Sequence, residues 1–202
     1  MVYRLLKPGP MKRNTNAGFT LLEVIIVAAI GMVITATALP NMTTAISNMR
    51  MRSSMTSLAG VLQNSRMLAV KQNRHMTTYF DPNTYGVIAY VKLASDTSVT
   101  YTAADSQVVL EAPVVRVLAP SGLGAPPALD TTVLGFTPET SNPSFNPTGL
   151  PCSYLSGLCA NHGFAYYFHD TRPQGQMGWA ALSISPAGRL KKWYWNGSAW
   201  TD

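Results

Sequence analysis

The chain has 202 residues, of which 47% are apolar and only 12% charged, a balance that excludes a disordered polyelectrolyte and fits one medium domain plus an extension. The formal charge of +6 is concentrated early: Arg4, Lys7, Lys12 and Arg13 precede Gly18, and beyond it eleven Lys and Arg face nine Asp and Glu, so the global charge is weak evidence for a polyanion partner. Fourteen prolines and fifteen glycines point to a turn-rich, β-dominated body.

The first element is "NAGFTLLEVIIVAAIGMVITATALP", residues 16–40. From Phe19 to Leu39 its polar interruptions are Glu23 and three threonines. At ~1.5 Å per residue this helix measures roughly 31 Å, close to the ~30 Å thickness of a bilayer's hydrocarbon core. The basic residues ahead of it predict a cytoplasmic leader and an outward-facing bulk. An ordinary secretory signal has a shorter apolar core followed by a small-residue cleavage site. Here the small residue, Gly18, lies before the apolar run, so a cut there leaves the hydrophobic helix on the mature chain.

These residues resemble the class III signal of type IV pilins and type II secretion pseudopilins. The resemblance rests on the basic leader, Gly18 before the cut, Phe19 as the new first residue, Thr20-Leu21-Leu22, the acid Glu23 at the fifth mature position, and Pro40. It implies that a prepilin peptidase and N-methyltransferase cleaves between Gly18 and Phe19 and methylates the new amine. The expected organisation is a cleaved leader over 1–18, with Met11 as an alternative start. A membrane and assembly segment follows over 19–40, then an amphipathic half-helix over 41–74 and a β-rich head over 75–202. An isolated carboxylate well inside a bilayer costs about 2.5–3.5 kcal/mol on insertion scales. Either Glu23 snorkels to water or, as the resemblance implies, it pairs with the cationic N-terminus of a neighbouring subunit during filament assembly.

Beyond Pro40, which is expected to bend or loosen the helix, Met51, Met55, Leu58, Leu62, Ser65 and Ala69 recur at steps of three or four. Val61 and Leu68 flank that stripe, which predicts one buried helix face to about Arg74. Arg50, Arg52, Arg66, Lys71 and Arg74 occupy the polar side. Methionines 42, 49, 51, 55 and 67 read as adaptable packing. From His75 onward the pattern changes to period two. "MTTYF" and "YGVIAYVKL" read as a hairpin, with further strands at "QVVLEAPVVRVLA", "TVLGF", "FAYYFH", "GWAALSIS" and "RLKKWYW", separated by loops at 119–131 and 137–163. The fold class is therefore α+β, one long helix laid on antiparallel sheets.

Cys152 and Cys159 lie eight residues apart inclusive, which reads as a disulfide in an oxidising compartment. The rivals are free thiols and a metal set of Cys152, Cys159, His162 and His169, whose C-x6-C spacing is wider than the usual zinc knuckle. No metal or other cofactor is expected. An enzyme is not expected either: His75, His162 and His169 are scattered, and no nucleophile elbow, P-loop or dinucleotide loop is present in the sequence.

"SLAGVLQNSRMLAVKQNRHMTTYFDP" resembles the GspH/FimT branch through Ser65-Arg66 and Ala69-Val70-Lys71-Gln72-Asn73, with Leu68 in place of that pattern's acid. "SISPAGRLKKW" resembles the same branch through Ile184, Gly188 and Arg189, with Lys191 where a stricter version has arginine. The implied protein is a minor pilin or pseudopilin with a priming or tip role. It would sit in the bacterial inner membrane with its head outside, and join a pilus or secretion pseudopilus with other major and minor pilins. Some FimT-like members bind DNA in natural transformation. On a strand, Arg189, Lys191, Trp193 and Trp195 alternate onto one face, while Lys192 points the other way with Leu190 and Tyr194. Cations interleaved with aromatics suit phosphates and single-stranded bases. The competing reading packs Trp193 and Trp195 against a loop or another subunit.

Overall fold

The computed structural model describes residues 19–83, 86–96, 100–102, 104–110, 114–121, 124–155, 157–171 and 178–202. The leader expected over 1–18, including Gly18 and the alternative start Met11, lies outside them. The chain divides into two compact units that meet at Pro40 and Asn41.

Helix α1 runs Leu21–Gln72. In the first unit, every described side chain of the apolar run is exposed, and this is the one helix among the described residues long and apolar enough to cross a membrane. The C-terminus is closed by Asn73, whose φ of +52° places it in the left-handed region that Asn tolerates. The Arg74 N–H then reaches back to the Ala69 carbonyl at 3.1 Å, the long reverse bond of a Schellman stop.

In the second unit the predicted stripe is the buried face. Met51, Met55, Leu58, Leu62, Ser65 and Ala69 have no exposed surface, whereas Met42, Met49 and Met67 are exposed. Of the five methionines read as packing residues, two therefore pack within the chain. Against the stripe lie two sheets. The first contains β1 (Met76–Asn83), β2 (Gly86–Leu93), β3 (Gln107–Val109), β6 (Ser144–Phe145), β7 (Pro151–Leu155) and β8 (Leu158–Asn161), in the spatial order β3-β2-β1-β6-β7-β8. The second contains β4 (Val114–Val117), β5 (Pro138–Glu139), β9 (Gly163–Asp170), β10 (Trp179–Ile184), β11 (Leu190–Trp195) and β12 (Trp200–Thr201). Its order is β12-β11-β10-β9-β4, with β5 making a short parallel pair to β9 while the other pairings are antiparallel.

Alternation along the central strands builds two apolar layers. Phe164, Tyr166 and Phe168 of β9, with Ala180, Leu182 and Ile184 of β10, join the helix stripe in the main core. Ala165, Tyr167, Ala181 and Trp193 face the other way and form a second cluster with Leu129. Arg116 bridges the sheets: its guanidinium lies 4.7 Å from the Phe80 ring and 5.2 Å from the Tyr166 ring, and donates to the Thr140 carbonyl at 2.7 Å.

Three expectations are corrected. The run "QVVLEAPVVRVLA" is two strands in different sheets, β3 and β4, with residues 111–113 between them outside the described set. "TVLGF" contributes to a short helix, α2 (Thr131–Leu134), because Asp130 accepts from the Val133 N–H and Gly135 closes it at φ +77°. The segment 137–163, expected as a loop, carries β5 to β8. The disulfide therefore braces a β7–β8 hairpin rather than a structureless stretch.

Candidate functional site

Two regions carry the residues singled out by the sequence. In the first unit, Phe19 is 81% exposed and α1 begins two residues later. Thr20 is its N-cap: the Glu23 N–H donates to Thr20 Oγ1 at 3.2 Å and to the Thr20 carbonyl at 3.1 Å. Thr20-Leu21-Leu22-Glu23 has the T-x-x-E spacing of a capping box, a helix-start signal legible in the sequence, with the Thr20 half of the box formed. It also sets Glu23 in the helix's first turn, the positive end of the helix dipole. The other two threonines are satisfied internally. Thr35 Oγ1 donates to the Gly31 carbonyl at 2.7 Å, and Thr37 Oγ1 to the Ile34 carbonyl at 3.0 Å. Such back-bonding hides hydroxyls from an apolar medium. Among the described residues no side chain pairs with the Glu23 carboxylate, which sets it apart from the three threonines of the span.

In the second unit, the two segments resembling the GspH/FimT branch are in contact. Arg66 of α1 donates through Nη1 to the Gly188 carbonyl at 3.3 Å. Gly188 ends a tight turn between β10 and β11, with its N–H on the Ser185 carbonyl at 2.7 Å and φ at +81°. A Cβ there would be strained and would meet the Arg66 guanidinium at 3.3 Å. The glycine of the Gly-Arg pair thus serves the turn, and Arg189 emerges exposed beside it.

The predicted alternation on β11 is present, but its faces are already occupied. Lys192 and Tyr194 turn toward the helix, where Lys192 Nζ meets Thr56 Oγ1 at 3.3 Å and Arg52 lies 5.1 Å from the Tyr194 ring. On the opposite face, Lys191 Nζ is 2.7 Å from Asp202 Oδ2 and 4.0 Å from the Trp193 ring centre. Trp193 is only 6% exposed and donates its indole N–H to Ser183 Oγ at 2.9 Å. Trp195 stands edge-on to Trp200, with ring centres 5.6 Å apart. The Trp193 ring is a buried member of the second cluster and presents little open surface for stacking. What hides it, the segment around Leu129 and α2, lies far earlier in the chain, which strand periodicity does not reveal.

Beside Trp193 is a cleft of about 300 Å3, lined among others by Leu134, Phe136, Ser183, Arg189 and Lys191. Lys191, with a smaller contribution from Arg189, holds the Asp202 carboxyl below its ordinary value.

Cys152 and Cys159 form a disulfide, so their sulfurs are committed to each other and the rival metal set is not assembled. Of its histidines, His162 lies 3.0 Å from Glu139, and His169 stacks on Trp179 at 4.3 Å between ring centres.

Against known proteins, the family described as "Prokaryotic N-terminal methylation motif" matches residues 13–39. No curated protein and no solved structure matches the chain significantly. The motif supports a type IV pilin-like protein that is processed by prepilin peptidase and assembles with other pilins. The apolar helix fits membrane anchoring and a place in a filament.

Proposed function

We propose that the chain is a minor pilin or pseudopilin of the GspH/FimT type with a priming or tip role. In this reading prepilin peptidase cuts between Gly18 and Phe19 and methylates the Phe19 amine. Residues 19–40 anchor the subunit in the inner membrane, and the β-rich head stands outside it. Extraction into a filament is guided by the Glu23 carboxylate and a neighbouring subunit's new ammonium.

The observation that carries this reading is the distribution of polar partners in the apolar span. Thr20, Thr35 and Thr37 are each satisfied by their own helix, whereas the Glu23 carboxylate has no side-chain partner among the described residues. An uncompensated acid at depth costs a few kcal/mol, which is why acids within membrane spans are found paired. The test is Glu23→Ala in the native host. Membrane insertion and Phe19 processing should persist while the subunit disappears from sheared filaments; normal incorporation overturns the pairing.

The alternative expectation, a FimT-like DNA-binding pilin, draws support from exposed Arg189 and loses support from the buried Trp193 and the Lys191–Asp202 contact. It is a rival for the cleft beside Trp193, where salt-sensitive binding of an oligonucleotide would favour it.

A further inference from the structure

The cleft beside Trp193 is chemically one-sided. The polar side chains that line it are Ser183, Ser185, Arg189 and Lys191. Guanidinium and ammonium groups only donate. Ser183 is 3% exposed and its Oγ already accepts the Trp193 indole N–H at 2.9 Å, which leaves its hydroxyl hydrogen to offer. Ser185 Oγ similarly accepts the Arg189 N–H at 3.1 Å. No carboxylate is among the lining residues, and Leu134 and Phe136 supply an apolar wall. A site of this make-up suits an oxyanion carried on an apolar body.

The chain already displays the matching group. Asp202 Oδ2 sits 2.7 Å from Lys191 Nζ, although its side chain is 58% exposed and held by little else. A carboxylate at the rim is therefore both an example of what Lys191 accepts and a competitor for any incoming anion. Nucleic acid is the poorer fit: Trp193 is buried and Lys191 covers its ring at 4.0 Å, so a base finds no open face there.

We propose that this cleft is a docking site for a carboxylate-bearing, apolar peptide segment of a partner protein, and that Asp202 is its intramolecular competitor. The incoming carboxylate replaces Asp202 on Lys191 and engages Arg189 and the Ser183 hydroxyl, while its apolar neighbour lies against Leu134 and Phe136. Exchanging one carboxylate for another leaves the local charge unchanged, so the competitor sets a threshold for affinity. The proposal stands independently of the filament reading, since it concerns the head alone.

The experiment uses the full chain in detergent micelles and follows the Trp193 indole N–H by two-dimensional NMR. The probe is N-acetyl-leucine, with N-acetyl-leucinamide as the uncharged control. A saturable shift with the carboxylate and none with the amide is expected. Asp202→Asn should tighten binding several-fold, and Arg189→Gln should weaken it about tenfold. Asp202→Asn alters an exposed side chain and keeps the question answerable if Arg189→Gln perturbs the turn. Equal shifts with the amide, or no effect of Asp202→Asn, overturn the proposal. So does a short oligothymidylate that shifts the same N–H in a salt-sensitive manner and displaces N-acetyl-leucine, which would assign the cleft to DNA.

Discussion

Leu62 offers a direct test of how the second half of α1 is held. It has no exposed surface and belongs to the main core. Truncation to alanine removes buried methylene groups and leaves a cavity, at about 2–5 kcal/mol in comparable cores. Alanine is the better helix former by a few tenths of a kcal/mol, a small offset. A net loss near 3 kcal/mol is the expectation. For a folded unit of this size each kcal/mol lowers Tm by roughly 2–4 °C, so Leu62→Ala should melt about 6–12 °C earlier. The assay is thermal unfolding of the full chain in detergent, followed by near-ultraviolet circular dichroism, with Met67→Ala as the matched control. Met67 is on the same helix and 64% exposed, so its truncation should cost under ~0.5 kcal/mol. A loss below about 1 kcal/mol for Leu62→Ala, or equal losses for the two variants, would refute the assignment of the packed face.

Replacing Cys152 and Cys159 by serine opens an eight-residue loop, for which chain entropy gives about 2.5 kcal/mol of destabilisation. Denaturant midpoints should fall for the double variant and, by a similar amount, for the reduced parent; an unchanged midpoint in both rejects the bracing role. For His169, burial lowers the imidazole pKa below its usual 6.5, and the Asp170 charge offsets this in part. The unfolded chain then binds more protons, so the associated stability is whole above about pH 6.5 and fades as pH falls through the folded value. A proton NMR titration placing His169 at or above 6.5 would contradict this.

The residues that were legible in the sequence are those governed by local periodicity. Six positions from Met51 to Ala69 repeat with the helical period, and all six are buried because the sheets press on one side of that helix. The β11 alternation was equally readable, since a strand must present Lys191 and Trp193 together. Partners from distant sequence were not. Trp193 is covered by the segment around Leu129, and Lys191 is bound by Asp202. Of the strands in 137–163, β5 and β6 have two residues each, too short to show a period. The short helix at Thr131 was announced by its caps, Asp130 and Gly135, rather than by its apolar spacing.

The order in which the chain visits its two sheets limits how the head can be recombined. It lays down β1 to β3 in one sheet, crosses to β4 and β5 in the other, returns for β6 to β8, and crosses again for β9 to β12. Neither sheet is a contiguous stretch, so no single cut can graft one of them onto a foreign scaffold. Chimeras designed at the Pro40–Asn41 junction transplant the entire head as one block. Junctions inside 76–201 would splice half-built sheets together, and such hybrids should be cleared by quality-control proteases.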